Sequence, residues 1–168
     1  MDRAELRALQ KPLKERYRAE PATAVVTLRA EGRLHEEQIG CSVATGRALV
    51  EAGLHPATGG TGALACSGDM LLEALVACAG VTLRSVATSM ELDVAGSVHA
   101  EGDLDFRGTL GVDREAPVGF SAIRLSFDLE SEASAEELAQ LLERTERYCV
   151  VYQTLTGGVP LELSYSMR

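Results

Sequence analysis

The feature that most constrains the fold is a segment from Met70 to Ser89 whose pattern is helical and whose residues are apolar nearly all round. Ser67 is a good N-cap for this helix, and Asp69 suits the positive end of the helix dipole in the first turn. A helix that lacks a polar face is a buried helix and not a surface helix. We therefore expect strands against one side of it and another helix or a second subunit against the other.

Strand-like segments precede and follow this helix. A β-branched stretch predicts a strand at Pro21–Ala30, with Gly32 in the turn that leads to a hairpin partner at Gln38–Thr45. The segment Gly53–Gly62 is dense in glycine, proline and threonine, which is typical of a loop. Further strands are predicted at Ser97–Phe106, Phe120–Leu129 and Pro160–Ser166.

An amphipathic helix is predicted before the last of these strands. Ser134 and Glu137 have the spacing of a capping box at its start. The order of strands, buried helix, strands, amphipathic helix and strand is that of an α+β fold, because it lacks a regular βαβ alternation. We predict one α+β domain over residues 21–168. A polar helical arm at residues 1–20 precedes it, in which Pro12 breaks any single long helix.

Charge and hydropathy exclude several classes of partner. The formal net charge is −9, which argues against nucleic-acid binding, because a phosphate backbone needs clustered cations. Basic residues near the start are interleaved with acidic ones, which favours a solvated arm. We find no leader-like apolar region at the start and no run that approaches the ~20 apolar residues of a membrane span. A cytoplasmic protein is expected, in which the four cysteines form no static disulfide framework.

Two of the cysteines have simple interpretations. Cys41 lies in a predicted strand and is interpreted as a small buried hydrophobe. Cys66 stands just before the central helix, where the helix dipole can lower the pKa of a thiol. Cys66 and Cys78 would be separated by ~18 Å along an intact helix, so they cannot form a disulfide.

The other two cysteines leave alternatives open. Cys78 lies among the small residues Ala77, Ala79 and Gly80, which allow either close helix packing or space for a substrate above the sulfur. Cys149 falls at the end of the second helix, either as a core residue or as a resolving thiol. The two are 71 residues apart, and this spacing matches no metal-binding or C-x-x-C motif.

Two segments of the chain resemble the OsmC/Ohr family of organic hydroperoxide resistance proteins. SGDMLLEALVACAGVTLRSVAT is similar to the family's central helix, which carries the attacking cysteine. RYCVVYQTL is similar to its second cysteine segment, and the order of elements agrees from about Thr23 to the end. The resemblance implies an intertwined homodimer. Its buried central helices would pack against antiparallel sheets, with active sites built across the interface.

The same resemblance implies a thiol peroxidase that reduces organic hydroperoxides. Cys78 would attack the peroxide and become a sulfenic acid, which Cys149 would convert to a disulfide. An external dithiol reductant, of the dihydrolipoyl type, would restore both thiols without metal, haem or flavin. The alternatives are a weakly active or non-catalytic small-molecule binder or redox sensor on this fold, and an α+β structural protein whose cysteines are all core residues.

The resemblance also implies an activating arginine, because burial alone raises the pKa of a thiol. Arg84 is ~240° around the helix from Cys78 and points away from it. The family arginine follows a glycine after the first long strand, a context that selects Arg33, with Arg47 as runner-up.

Three further positions bear on how such a site would work. The family glutamate ten residues before the cysteine is replaced by Gly68, and Asp69 beside it is a poor substitute. The proline that commonly follows the second cysteine is replaced by Val150. His55, in the loop before the helix, is interpreted as having no task, because His55 and Cys66 provide too few ligands for a metal.

Overall fold

The computed structural model describes residues 3–34, 41–43, 52–63 and 65–167. Helices and strands alternate irregularly along the described chain, as expected of an α+β fold. The helices are α1 (Arg3–Ala19), α2 (Ser67–Ser89), α3 (Phe106–Thr109), α4 (Ala135–Tyr148) and α5 (Val150–Gly157). The strands are β1 (Val25–Leu34), β2 (Cys41–Val43), β3 (Ala52–Gly53), β4 (Ala65–Cys66), β5 (Ala95–Asp105) and β6 (Phe120–Glu130). Short 3₁₀ helices form at Pro21–Ala24 and Pro56–Thr58.

The main sheet is antiparallel and has four strands in the order β2-β1-β5-β6. The long strands β1 and β5 pair along nearly their whole length, from Val25 opposite Asp105 to Arg33 opposite Ser97. The short strands β3 and β4 form a separate parallel pair at the start of α2. The α+β class predicted from the order of elements is confirmed.

Helix α2 is the centre of the fold, as its apolar sequence predicts. It packs against β1 and β5 on the sheet and against α4 and α5. Its fully buried residues recur along the helix at roughly one-turn intervals and form the main hydrophobic core with β5 and α4. The buried residues of α2 are Leu72, Leu75, Val76, Ala79, Gly80, Leu83, Val86 and Ala87.

By length and composition alone, α2 would suffice to cross a membrane, with a mean hydropathy of 1.6 over its most apolar window. The expectation that no run approaches a membrane span is therefore wrong. A helix in the core of a folded protein also satisfies this criterion of length and hydropathy. The contacts of α2 with the sheet and with two helices of its own chain are those of a core helix.

The N-terminal helix differs from its prediction in two respects. It runs unbroken from Arg3 to Ala19 with Pro12 inside it. Pro12 and Ala8 are both exposed, so water can satisfy the Ala8 carbonyl that the proline leaves without an N–H donor. Its last turn is exposed except at Tyr17, which is fully buried and whose hydroxyl donates to the Ala57 carbonyl at 2.6 Å. The domain division at residue 20 stays a prediction.

The first strand and the start of α2 also differ from the sequence interpretation. Pro21–Ala24 is a 3₁₀ turn, and β1 continues through Gly32 and Arg33 to Leu34, so the predicted turn at Gly32 is wrong. Strand pairing holds both residues in extended backbone, since they lie between β2 and β5. Cys66, not Ser67, occupies the N-cap of α2.

The largest difference lies at the C-terminal end. The segment after Cys149 forms helix α5, and residues 159–167 adopt neither helix nor strand, so the predicted strand at Pro160–Ser166 is wrong for this chain alone. The segment does alternate apolar and polar residues, but no strand in the described part of the chain pairs with it. Its apolar members are almost fully exposed: Leu161, Leu163, Tyr165 and Met167.

Candidate active site

Cys78 lies in the middle of α2 and is half-buried. Its neighbours Ala79 and Gly80 are buried, so the small residues of this segment serve close packing. Helices α4 and α5 both pack against α2 and bring the second half of the chain to this point.

Cys149 forms the corner between those two helices. Its backbone is extended, with φ −72° and ψ 105°, and it is at once the C-cap of α4 and the N-cap of α5. Its N–H donates to the Thr145 carbonyl at 2.9 Å, and its carbonyl accepts from Gln153 at 2.9 Å. The side chain is 1% exposed. The corner therefore fixes the Cys149 sulfur in the interior, facing α2.

The two thiols lie close enough to shift each other's pKa. Burial raises the pKa of the Cys78 thiol, but a hydrogen bond from the Val151 N–H and one from the Cys149 thiol lower it. The Thr82 hydroxyl and the Val150 N–H lower it further, and the balance holds the pKa of Cys78 below its ordinary value. No charged side chain within the described part of the chain contributes to this shift. Hydrogen bonds to the charged form are one of the physical causes that depress an acidic pKa.

The pKa of Cys149 moves in the opposite direction. Burial is the main cause, and together with the neighbouring Cys78 sulfur it raises the pKa of Cys149 to about 11. Hydrogen bonds from the backbone N–H groups of Tyr152 and Val151 offset only part of this. The Cys78 thiol therefore loses its proton more readily than the Cys149 thiol does.

The structure describes only some of the arginines that were considered as partners of Cys78. The backbone of Arg33 lies in β1, opposite Ser42 of β2 and Ser97 of β5, and β1 packs against α2. Arg47 lies outside the described residues. Arg84 donates to the Val94 carbonyl at 3.1 Å, beyond the end of α2, as expected for a side chain that points away from Cys78.

Asp69 and His55 lie together at the start of α2. Burial raises the pKa of Asp69, and the nearby His55 lowers it in part. The His55 ring stacks on Phe106 with centroids 4.9 Å apart, and its Nδ1 accepts a hydrogen bond from the Ala57 N–H at 3.0 Å. This histidine therefore holds the loop in place. Cys66 is a free, half-buried thiol at the N-cap of α2.

A largely apolar cavity of about 320 Å³ lies between α2, α5 and the first half of β6, and neither Cys78 nor Cys149 lines it. Leu75, one turn before Cys78, lies in its wall, and Tyr152 and Leu155 of α5 face it from the other side. Phe120 closes one end. Its ring lies against Gly102, where a Cβ would come within 2.4 Å of it. A small organic molecule with an apolar body fits a cavity of this size.

Sequence reasoning missed the cavity, Thr82 and the N-terminus of α5. Thr82 follows Cys78 by four residues, the spacing that places two side chains on one face of a helix, so this residue could have been found. The N–H groups of α5 carry no side-chain signal. The sequence VVYQTL is rich in β-branched residues and does not indicate a helix by itself.

The site and fold define a class of protein, and the comparisons agree with it. The family model described as OsmC-like protein matches residues 60–164. A crystal structure of an OsmC-like hydroperoxide resistance protein from Jannaschia sp. CCS1 matches with a TM-score of 0.53 at 17% identity, over 86% of this chain and 94% of that chain. No curated protein sequence matches the chain. The chain belongs to the OsmC-like family, and its mixed helix and antiparallel sheet fold is that of the Jannaschia protein.

Proposed function

We propose that this protein is a thiol-dependent peroxidase that reduces organic hydroperoxides. The observation that carries the proposal is the proximity of Cys78 and Cys149, which come from distant parts of the chain and whose pKa values are displaced in opposite directions. Membership of the OsmC-like family supports it, as does the description of the Jannaschia protein as a hydroperoxide resistance protein.

Cys78 would react with the peroxide, and Cys149 would then form a disulfide with Cys78. The Cys78 thiolate attacks the outer oxygen of the hydroperoxide, the O–O bond breaks, and the alkoxide leaves and takes a proton to become the alcohol. Cys78 is then a sulfenic acid. The Cys149 sulfur attacks the Cys78 sulfur, and the hydroxyl group leaves as water with the proton of the Cys149 thiol. A dithiol reductant of the dihydrolipoyl class then reduces the disulfide to two thiols and is itself oxidised to a disulfide.

We assign substrate binding to the apolar cavity and activation of the peroxide to an arginine. The apolar cavity beside Leu75 would hold the organic part of the hydroperoxide and exclude water. Arg33 is our candidate cation, since β1 packs against α2 and an arginine can bind the peroxide oxygens or the leaving alkoxide. We expect no metal, haem or flavin to be needed, because the two cysteines and the external dithiol balance the electrons.

The test is consumption of an alkyl hydroperoxide, such as cumene hydroperoxide, with dihydrolipoamide as reductant. The wild type should consume peroxide catalytically, and Cys78→Ser should abolish consumption. Cys66→Ser is the matched control, because it removes a half-buried thiol outside the proposed pair and should leave the rate unchanged. Failure of the wild type with several hydroperoxides and several dithiols would sink the proposal.

We further propose a cytoplasmic homodimer. The exposed apolar side chains of residues 159–167, together with Leu71 and Val81 on α2, support a second copy of the chain as the partner that covers them. Light scattering should give twice the mass of the chain, and Leu163→Glu should shift the protein towards monomer. A wild type that remains monomeric at high concentration would contradict the dimer and leave the peroxidase proposal intact.

The competing candidate is a non-catalytic small-molecule binder or redox sensor on the same fold. The cavity favours it, since an apolar pocket binds a ligand whether or not the adjacent thiol turns over. A ligand that co-purifies in the cavity, with Cys78 reduced and inert to peroxide, would favour this candidate over the peroxidase.

A further inference from the structure

The loop before α2 is held in shape by the side chain of His55. His55 is the N-cap of the 3₁₀ turn Pro56–Thr58, and its Nδ1 accepts a hydrogen bond from the Ala57 N–H at 3.0 Å. A ring nitrogen accepts only when it carries no proton, so this bond requires a neutral imidazole with its proton on Nε2. Protonation of His55 would therefore abolish the capping bond.

The N-terminal helix is anchored on the same turn. Tyr17, in the last turn of α1, is fully buried, and its hydroxyl donates to the Ala57 carbonyl at 2.6 Å. Helix α1 also contacts this turn and α3, and its Leu13 packs against the core. Ala57 thus joins the two interactions, because its N–H is bonded to His55 and its carbonyl is bonded to Tyr17.

The surroundings of His55 decide which group moves when the ring takes up a proton. The ring stacks on Phe106, which is 3% exposed, with the two planes 14° apart. A cation over an aromatic face is attracted to it, and the Asp69 carboxylate at the start of α2 also attracts a charged His55. A protonated ring is therefore retained, with an N–H directed at the Ala57 N–H. Two donors cannot bond to each other, so the turn at Ala57 has to move.

The neighbouring elements bring several other charged groups towards the turn. Within the described residues they are Asp69 and Glu73 on α2, Asp105 and Arg107 on α3, and Arg16 on α1. Asp105 and Arg107 pair with each other. Burial raises the pKa of Asp69, so its own protonation at still lower pH would weaken its attraction for His55. None of these groups is an imidazole, the side chain that ordinarily changes its charge between pH 5 and 8.

We propose that His55 is a pH-sensitive latch for the N-terminal helix. Neutral His55 holds the turn that receives the Tyr17 hydroxyl, and protonated His55 releases that turn and loosens α1. Loss of one capping bond shifts a local opening equilibrium by about threefold to tenfold. The latch is closed at pH 8 and opens on acidification. It is independent of peroxide chemistry, since none of its groups belongs to the thiol pair.

Hydrogen–deuterium exchange of α1 tests the latch, with α4 as the internal reference. Protection factors are measured on peptides at pH 8 and pH 5, each corrected for the intrinsic exchange rate at that pH. In the wild type we expect the protection of residues 3–19 to be about threefold to tenfold lower at pH 5. The protection of α4, which packs against α2 and α5, should stay unchanged. Circular dichroism at both pH values checks that the protein remains folded.

His55→Asn is the matched variant. An asparagine at an N-cap accepts from a backbone N–H of the following turn but does not titrate, so α1 should be equally protected at both pH values. His55→Ala removes the acceptor and should lower the protection of α1 at both. Tyr17→Phe removes only the hydroxyl that reaches Ala57, and it should lower the protection of α1 at pH 8 with His55 unchanged.

Three results would overturn the inference. One is a folded wild type whose α1 is equally protected at pH 8 and pH 5. Another is a His55→Asn protein that loses as much protection at pH 5 as the wild type does, because another titrating group would then be responsible. The third is a Tyr17→Phe protein protected like the wild type at pH 8, because α1 would then not be held through Ala57. Exchange needs no hydroperoxide, so each result is separate from a failure of the proposed function.

Discussion

The middle of α2 and the corner between α4 and α5 each place a cysteine in the interior, yet the two thiols differ in character. Cys149 is the more buried of the two, and burial raises its pKa to about 11. Cys78 is also withdrawn from water, but the donors around its sulfur outweigh that effect and lower its pKa. The comparison shows that burial in an apolar core does not by itself decide whether a thiol is reactive. Hydrogen bonds to the charged form can outweigh the effect of burial.

Removal of the Cys149 thiol should have the largest effect on hydroperoxide consumption. Cys149→Ser should consume about one equivalent of hydroperoxide and then stop, because the Cys78 sulfenic acid has no partner sulfur. Mass spectrometry after trapping with dimedone should place the adduct on Cys78. Continued turnover with a dithiol at the wild-type rate would show that Cys149 has no part in the cycle.

The pH dependence of labelling separates the two thiols directly. With a pKa near 11, Cys149 should be about one part in a thousand thiolate at pH 8. Cys78, with its lowered pKa, should reach its maximal alkylation rate at a lower pH than an ordinary cysteine does. Both thiolate fractions rise with pH, so the Cys149 rate should still be climbing when the Cys78 rate is flat. Superimposable pH profiles would contradict the assigned difference.

A substitution that fills the cavity tests whether the cavity binds the organic part of the substrate. Leu155→Trp should lower kcat/KM for a long-chain alkyl hydroperoxide about tenfold, because the indole occupies the space of the organic group. Hydrogen peroxide, which needs no such space, should be consumed at nearly the wild-type rate. Leu142→Trp on α4 is the control, since Leu142 and Leu155 are equally exposed, at 37% each. Equal effects on both peroxides would argue against the cavity as a substrate site.

The smallest effect concerns the corner that holds Cys149. The Gln153 side chain donates to the Glu146 carbonyl at 2.9 Å and ties the start of α5 to the end of α4. Gln153→Ala should lower the free energy of unfolding by about 0.5–1 kcal/mol, the usual value of one net hydrogen bond. Urea denaturation measures this cost. A loss of several kcal/mol would mean that the corner depends on this one bond far more than its exposed position indicates.

The parts of the fold that follow local rules could be predicted from the sequence. The buried helix, strands β5 and β6 and the Ser134–Glu137 capping box were all predicted, and the capping bonds are present in both directions. These features depend on periodicity and on the chemistry of a helix end, both of which are local. The limits of β1, the helix α5 and the unpaired residues 159–167 were not predicted, because each depends on which distant segment is available to pack against.

The residues of the candidate site likewise differ in whether the sequence could predict them. The identities of Cys78 and Cys149 came from the resemblance, and the structure brings the two sulfurs together. The donors from Val150 and Val151 could not be predicted, because a backbone N–H has no sequence signature and its direction is fixed only when α5 is folded. Arg33 was chosen from its Gly-Arg context, and its action on Cys78 stays a prediction.

We propose that Cys78 and Cys149 form one redox pair with Cys78 as the attacking sulfur. The most direct measurement is peptide mapping without reduction, after the wild-type protein has reacted with one equivalent of an organic hydroperoxide. We expect a Cys78–Cys149 disulfide as the main product, with Cys66 still a free thiol. A reacted protein in which Cys149 remains a thiol while Cys78 is unmodified, or is oxidised to a sulfinic acid, would contradict it.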